Sequence, residues 1–270
     1  MGSVGNKPLV VAHRGASHKA PENTIEAFAL AIEEGADGIE MDVRLANDGT
    51  PVVFHDSGLK RFTGKDTRID SLSVDAVRNI SVGKWFNNRY PRRARHEFES
   101  SCVPTLEETL EFLSDYQGTI FVELKCRPYD AEETAVNVAS LLSESPLLPQ
   151  FIVKSFSLDA LPFLQRQCDE LKTAALFAPK VMSVIRKEKR LVNIATDLMA
   201  DSLSLHASLA TKKLVKKANR AGLDVAIWTV DNPRWLKRAL ELGIGTVITN
   251  KPDGMLLRRR ELLHRNSITA

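Results

Sequence analysis

The stretch Ile39-Glu-Met-Asp-Val-Arg-Leu-Ala-Asn-Asp-Gly-Thr-Pro-Val-Val-Phe-His-Asp56 decides how the strands of this chain are counted, and with that the fold. It holds two strand-like runs, Ile39–Leu45 and Pro51–Phe54, separated by little more than Asn47-Asp-Gly-Thr50. A parallel crossover needs a dozen or more residues, so the second run has to return antiparallel beside the first. Asp48-Gly49 is a favoured hairpin turn. With the turn there, His55 comes level with about Met41–Asp42. The hairpin therefore delivers a histidine to a strand that carries Glu40 and Asp42.

Outward from this hairpin, short β-branched runs alternate with helical patterns. Leu9–Ala12 reads as a strand, followed by a helix whose apolar face is Ile25, Phe28, Ala29 and Ile32; Asn23 and Glu26 fit a capping box in front of it. Thr105 and Glu108 fit a second one. Later strands are expected at Thr119–Leu124, Phe151–Ser155, Lys172–Phe177, Ser202–Leu205, Asp224–Trp228 and Thr246–Ile248. Helices are expected at Leu106–Leu113, Glu132–Ser143, Leu158–Gln167, Ala207–Ala221 and Pro233–Leu242. Removing the returning arm Pro51–Phe54 from nine candidate strands leaves eight in β/α alternation, the number that closes a (β/α)8 (TIM) barrel. A doubly wound sheet is the runner-up, but the chain has neither a GxGxxG nor a GxxxxGK[ST] phosphate loop. One domain over residues 9–257 is expected, with 57–103 as a small insertion beside the barrel mouth and 258–270 as a tail. Leu59, Phe62, Leu72, Val77, Ile80, Trp85 and Phe86 give the insertion something to bury.

Bulk properties narrow the function classes. The 270 residues match the roughly 250 typical of such a barrel. Thirty-seven basic residues oppose 34 acidic ones, for a net charge of +3, and no aromatic interleaving accompanies the basic stretches, so nucleic acid is not an expected partner. Three scattered cysteines offer neither a disulfide framework nor a CxxC zinc site. No apolar run reaches spanning length and no signal-peptide core precedes the first strand, so a cytoplasmic protein without an integral membrane segment is expected. Oligomeric state is not readable.

Side chains alternate along a strand, so Glu40 and Asp42 share one side, as do Glu123 and Lys125. Burying such charges costs several kcal/mol each unless they are paired or bound to metal. Three carboxylates at one mouth form a hard oxygen set suited to magnesium or calcium, and their mutual repulsion would raise their pKa values unless a cation neutralises them. His13 and His55 are better used for proton transfer. Arg14 and Lys125 supply fixed positive charge for an anion. An anion flanked by a divalent ion, two cationic side chains and an acid/base pair is the layout expected for phosphodiester cleavage. Secondary candidates are Glu22, Asn23 (as cap or site residue), Phe156 and Trp228.

His13-Arg-Gly-Ala, Pro21-Glu-Asn-Thr24, Glu40-Met-Asp42, Asp48-Gly49, His55-Asp56 and Glu123-Leu-Lys125, in this order, resemble the glycerophosphodiester phosphodiesterase family. Ser155-Phe156, Trp228-Thr-Val230 and Ile248-Thr-Asn-Lys-Pro-Asp253 look like later pieces of the same family, and coverage runs from about Leu9 to Leu257. The resemblance implies a TIM barrel with Glu40, Asp42 and Glu123 binding one divalent cation, magnesium or calcium with manganese as a third option. It implies His13 and His55 as general base and acid, Arg14 and Lys125 holding phosphate, and the insertion and Trp228 contacting the alcohol parts; Glu22 and Phe156, from their places beside the mouth, are expected to bind substrate as well. The implied reaction cleaves a small glycerophosphodiester, such as glycerophosphocholine, glycerophosphoethanolamine or glycerophosphoglycerol, to glycerol 3-phosphate and an alcohol. Two positions depart from the family pattern: its Gly-Gly after His-Arg is Gly15-Ala16 here, and its Thr-Asp-x-Pro is Thr249-Asn-Lys-Pro252. A lysophospholipase D-type hydrolase and a catalytically silent phosphate-binding barrel are the alternatives.

Overall fold

The computed structural model describes residues 7–180 and 188–268. Its strands are β1 (Leu9–His13), β2 (Gly38–Leu45), β3 (Pro51–Val53), β4 (Thr119–Leu124), β5 (Phe151–Ser155), β6 (Lys172–Phe177), β7 (Ser202–His206), β8 (Asp224–Trp228) and β9 (Thr246–Thr249). All but β3 run parallel, and β1 pairs with both β2 and β9, which closes an eight-stranded barrel. The helices are α1 (Ile25–Glu33), α2 (Lys60–Thr63), α3 (Val74–Arg78), α4 (Val82–Arg89), α5 (Leu106–Phe112), α6 (Ala131–Ser143), α7 (Ala160–Gln167), α8 (Lys189–Asp197), α9 (Lys212–Arg220), α10 (Arg234–Leu242) and α11 (Pro252–Ile268). The fold is the expected TIM barrel.

The hairpin forms in the expected register. β3 lies antiparallel on β2 with Val43 opposite Val53 and Arg44 opposite Val52. Gly49 takes a left-handed φ of 80° in the turn, and Asp48 Oδ1 accepts from the Thr50 amide at 3.0 Å. The Phe54 amide then bonds to the Asp42 carbonyl, bringing His55 alongside the acidic strand.

Several local expectations change. Thr24, not Asn23, caps α1: its hydroxyl accepts from the Ala27 amide, while Asn23 sits at a left-handed φ of 58° with its side chain elsewhere. The Thr105–Glu108 capping box on α5 does form. α8 was not foreseen: its buried face is only Leu191, Val192 and Ala195, with Ile194 packed beside them, in a helix of nine residues. The expected helix from Ala207 divides into a 3-10 turn, Ala207–Leu209, and α9, capped by Thr211. The expected tail from residue 258 instead continues α11 through Ile268. Arg259 in it is buried and grips Asp37 beneath the barrel, with Nη2 at 3.0 Å from Oδ1.

Strand period explains where the core stops and the site begins. Outward residues such as Met41, Val43, Val122 and Leu124 pack on the helices. Inside, Val11, Phe121, Ala226 and Ile248 form an apolar floor with Ile152 and Trp228 against it. Two residues further along the same strands stand His13, Glu123 and Lys154, and Asn250 follows Ile248 by the same step. The chain thus places charge one layer above an apolar plug. The insertion closes over its own core of Leu59, Ile69, Val77, Ile80 and Val82, packed on Val52 and Phe54 of the hairpin arm.

Candidate active site

Glu40, Asp42 and Glu123 meet above the apolar floor. Glu40 pairs in register with His13, and Asp42 with Glu123, which in turn pairs with Lys154. One carboxylate oxygen from each acid lies within 4.8 Å of the others, and all three residues are buried. Glu40 Oε1 and Asp42 Oδ1 are sealed from solvent, and the groups that face them are the ammonium groups of Lys154 and Lys125. Three hard carboxylate donors this close together suit a divalent cation with oxygen preference.

Three side-chain cations share this space. Lys154, 1% exposed, stands 2.8 Å from Glu40 and 3.5 Å from Glu123. Lys125 stands 3.1 Å from Asp42 and contacts Glu123, and Arg14 Nε lies 2.9 Å from Asp42 Oδ2. The neutralising cation on which the carboxylate pKa values were expected to depend is thus supplied for two of the acids by the protein itself. Burial pushes both up, but Arg14 and Lys125 hold Asp42 well below the usual carboxylate range, and Lys154 with His13 holds Glu40 below it. Three carboxylates and three protein cations balance before any metal enters.

His13 ends β1 with Nε2 facing Glu40 Oε2 at 3.8 Å and Nδ1 at 2.7 Å from Asn250 Oδ1. Burial pushes its imidazole below the ordinary histidine range, with Glu40 opposing. His55 is a third exposed, and its Nδ1 lies 2.7 Å from Asp56 Oδ1. Arg61 Nε holds the other oxygen of Asp56 at 2.7 Å, and the same guanidinium reaches Glu22, which also pairs with Arg14 at 3.1 Å. Glu22 thus sits between two arginines instead of facing open solvent. Phe156 and Trp228 meet edge to face at 5.6 Å, and Lys125 Nζ lies 5.9 Å from the Phe156 ring. Both rings accordingly stand at the rim of the charged layer.

The backbone after β1 is shaped to bring these groups in. Arg14 has a left-handed φ of 55°, and its amide donates to Glu40 Oε2 at 3.1 Å. Gly15 follows at φ 78°, where a Cβ would lie 2.5 Å from the Ala27 carbonyl carbon, so only glycine fits. Ala16 is buried among Ala12, Ala31 and Ala36, so the methyl at this departure from the family pattern has a place. Asn23 clasps Asp42 twice: its Nδ2 donates to Oδ2 at 2.9 Å, and its Oδ1 accepts from the Asp42 amide at 3.2 Å.

Sequence reasoning missed Lys154, Arg61 and Asn250. Lys154 carries the signal that selected Glu123, a charge inside an apolar strand two residues from an inward Ile152. Arg61 lies in the irregular insertion, where no periodicity marks it.

Comparison with known proteins bears on this geometry. A model of the glycerophosphoryl diester phosphodiesterase family matches residues 13–254. The chain belongs to that family. The glycerophosphodiester phosphodiesterase of Caldanaerobacter subterraneus subsp. tengcongensis is 27% identical over 252 residues, covering 93% of this chain and 97% of the relative. Glycerophosphodiester phosphodiesterase 1 of Bos taurus is 32% identical over 245 residues, covering 82% of this chain and 71% of the relative. Among solved structures, an Oleispira antarctica phosphodiesterase in complex with the product sn-glycerol-3-phosphate superposes with a TM-score of 0.80 at 27% identity, covering 93% and 96% of the two chains. As a member of the glycerophosphoryl diester phosphodiesterase family, the chain is an enzyme, and its acidic cluster is consistent with a divalent metal ion.

Proposed function

We propose that this enzyme hydrolyses small glycerophosphodiesters, such as glycerophosphocholine, glycerophosphoethanolamine or glycerophosphoglycerol, to glycerol 3-phosphate and a free alcohol. The observation that carries the reading is the single buried layer in which Glu40, Asp42 and Glu123 converge beside His13 and Lys125 at the mouth of the barrel. Glu40, Asp42 and Glu123 would hold magnesium or calcium, with manganese as a third option. When bound, such an ion withdraws charge from the phosphoryl group.

The chain's own residues supply the rest. Arg14 and Lys125, both paired with Asp42, would hold the phosphoryl oxygens of the diester. One histidine of the pair His13 and His55 takes the proton from the attacking oxygen as the new P–O bond forms, that oxygen belonging either to water, which gives glycerol 3-phosphate directly, or to the glycerol 2-hydroxyl, which gives a cyclic 1,2-phosphate that water then opens. The other gives a proton to the alkoxide as the old P–O bond breaks, so the released alcohol is neutral. A polar cavity of about 650 Å³ opens beside His55, lined also by Arg44, Asp56, Lys60, Arg61 and Asp66. Glu22, between Arg14 and Arg61, anchors the insertion to the phosphate-holding arginine, and Phe156 with Trp228 offers an apolar rim to the glycerol carbons.

Among the described residues no helix is long and apolar enough to cross a membrane. The small-substrate reading is tested by comparing release from glycerophosphocholine with that from lysophosphatidylcholine. A higher kcat/KM on glycerophosphocholine supports it. A preference for the acylated substrate replaces it with a lysophospholipase D-type activity, and no turnover of any diester replaces it with a silent binding barrel.

A further inference from the structure

His13 is oriented by a residue outside the carboxylate and histidine set. Asn250 follows β9, and its amide is fixed on both ends. Its Nδ2 donates to Asp231 Oδ2 at 2.9 Å, its backbone amide donates to Asp231 Oδ1 at 2.8 Å, and Thr249 Oγ1 lies 3.0 Å from the same Oδ1. Ser17 Oγ lies 3.0 Å from Asn250 Oδ1 and 2.8 Å from the His13 carbonyl. These contacts determine which way the amide faces. A flipped amide would set its oxygen against the Asp231 carboxylate, acceptor against acceptor, whereas the observed orientation pairs a donor with each acceptor.

The consequence passes to the imidazole. With Nδ2 committed to Asp231, only Oδ1 can face His13, at 2.7 Å from Nδ1. An amide oxygen accepts and cannot donate, so His13 Nδ1 carries the proton and neutral His13 has its lone pair on Nε2. Nε2 is the nitrogen that faces the carboxylate layer. We propose that Asn250, clamped by Asp231, is a positioning residue that fixes the His13 tautomer and so presents Nε2 as the proton acceptor of the reaction. The inference rests on the proposed role of His13 in proton transfer. Asn250 stands where the family pattern has aspartate; the amide keeps the acceptor for His13 and adds a donor for Asp231.

The test combines a spectroscopic and a kinetic readout on the full chain with magnesium present. In histidine-¹⁵N-labelled protein, above the pH at which the imidazoles are neutral, the His13 signal is assigned by its loss in His13→Gln. The wild type is expected to show a protonated Nδ1 and an unprotonated Nε2. Asn250→Ala is expected to lose this preference and to lower kcat roughly 10- to 100-fold, the range for losing an orienting partner of a site histidine, with KM within about twofold. The double variant Asn250→Asp with Asp231→Asn exchanges the two groups while keeping every donor–acceptor pair. It is expected to restore both the tautomer and most of kcat, and it serves as the decisive variant if Asn250→Ala does not fold. A wild-type His13 protonated on Nε2, or an Asn250→Ala protein with unchanged tautomer and kcat, overturns the inference. If His13→Gln loses turnover while Asn250→Ala matches the wild type, the inference alone fails. If His13→Gln keeps full turnover, the reading beneath it fails as well.

Discussion

Lys154 is the buried cation on which the metal-free site depends most. It is 1% exposed and stands 2.8 Å from Glu40 and 3.5 Å from Glu123, so replacing it removes the counter-charge from carboxylates that have no water to turn to. Lys154→Met keeps the aliphatic stem and its packing, which leaves the charge as the main thing lost. Breaking a buried ion pair by removing one partner costs about 3–5 kcal/mol. At roughly 2–4 °C per kcal/mol for a chain of this size, the variant should melt on the order of 10 °C below the wild type in EDTA. The sign with pH follows from Glu40, whose pKa is held below the ordinary carboxylate value chiefly by Lys154 against the opposing effect of burial. Such a group contributes stability above its unfolded pKa and loses it as pH falls through the folded one. Without Lys154 that contribution disappears, so the gap between variant and wild type should be widest near neutral pH and shrink as Glu40 becomes protonated. A divalent ion replaces the missing charge, and a ligand at 100 times its Kd adds about 2.7 kcal/mol, so magnesium or calcium should raise the variant's midpoint more than the wild type's. Thermal unfolding from neutral pH down through the acidic range in which Glu40 protonates, with EDTA or with the metal, measures all of this. A Lys154→Met protein that melts within a degree or two of the wild type in EDTA at neutral pH would show that the lysine does not neutralise the cluster.

Other substitutions separate the roles of the remaining groups. His13→Ala and His55→Ala should each lower kcat by about 100-fold or more while metal binding by calorimetry stays intact; full activity in both would remove proton transfer by histidine from the account. Glu40→Gln or Asp42→Asn should weaken metal binding as well as turnover, and an unchanged metal Kd would place the ion elsewhere. Arg44 donates to the carbonyls of His55 and Lys125 at 2.8 and 2.9 Å, tying together the two segments that carry those groups. Arg44→Met should therefore lower kcat by roughly several-fold with a stability loss of about 1–3 kcal/mol, the cost of buried acceptors left unpaired; wild-type kinetics would show that the tie is unnecessary.

How far the sequence could be read followed physical regularity. Strand period placed Glu40, Asp42 and Glu123 on the inner side, and the short Asp48-Gly49 link specified the hairpin and its register. Lys154 obeyed the same period and was legible in principle. Arg61 and the clasp of Asn23 on Asp42 were not, because they depend on left-handed or irregular backbone whose course only the packed barrel sets. The cap of α1 shows the same limit. Asn23 and Thr24 are both good capping residues, and the adjacent acid on β2 decides between them by claiming the asparagine. Three acids alone would repel one another upward in pKa, but Glu40 and Asp42 are held low because Lys154, Arg14 and Lys125 converge from three other positions in the chain, and of these the sequence reading does not single out Lys154.

On the proposed function, a divalent ion held by Glu40, Asp42 and Glu123 is required for cleavage of a glycerophosphodiester. Release of glycerol 3-phosphate from glycerophosphocholine, glycerophosphoethanolamine and glycerophosphoglycerol, followed before EDTA, after EDTA and after return of magnesium, calcium or manganese, tests it most directly. Turnover of at least one substrate, its loss on chelation and its recovery with magnesium or calcium are expected. A chelated enzyme that keeps its full rate would contradict it.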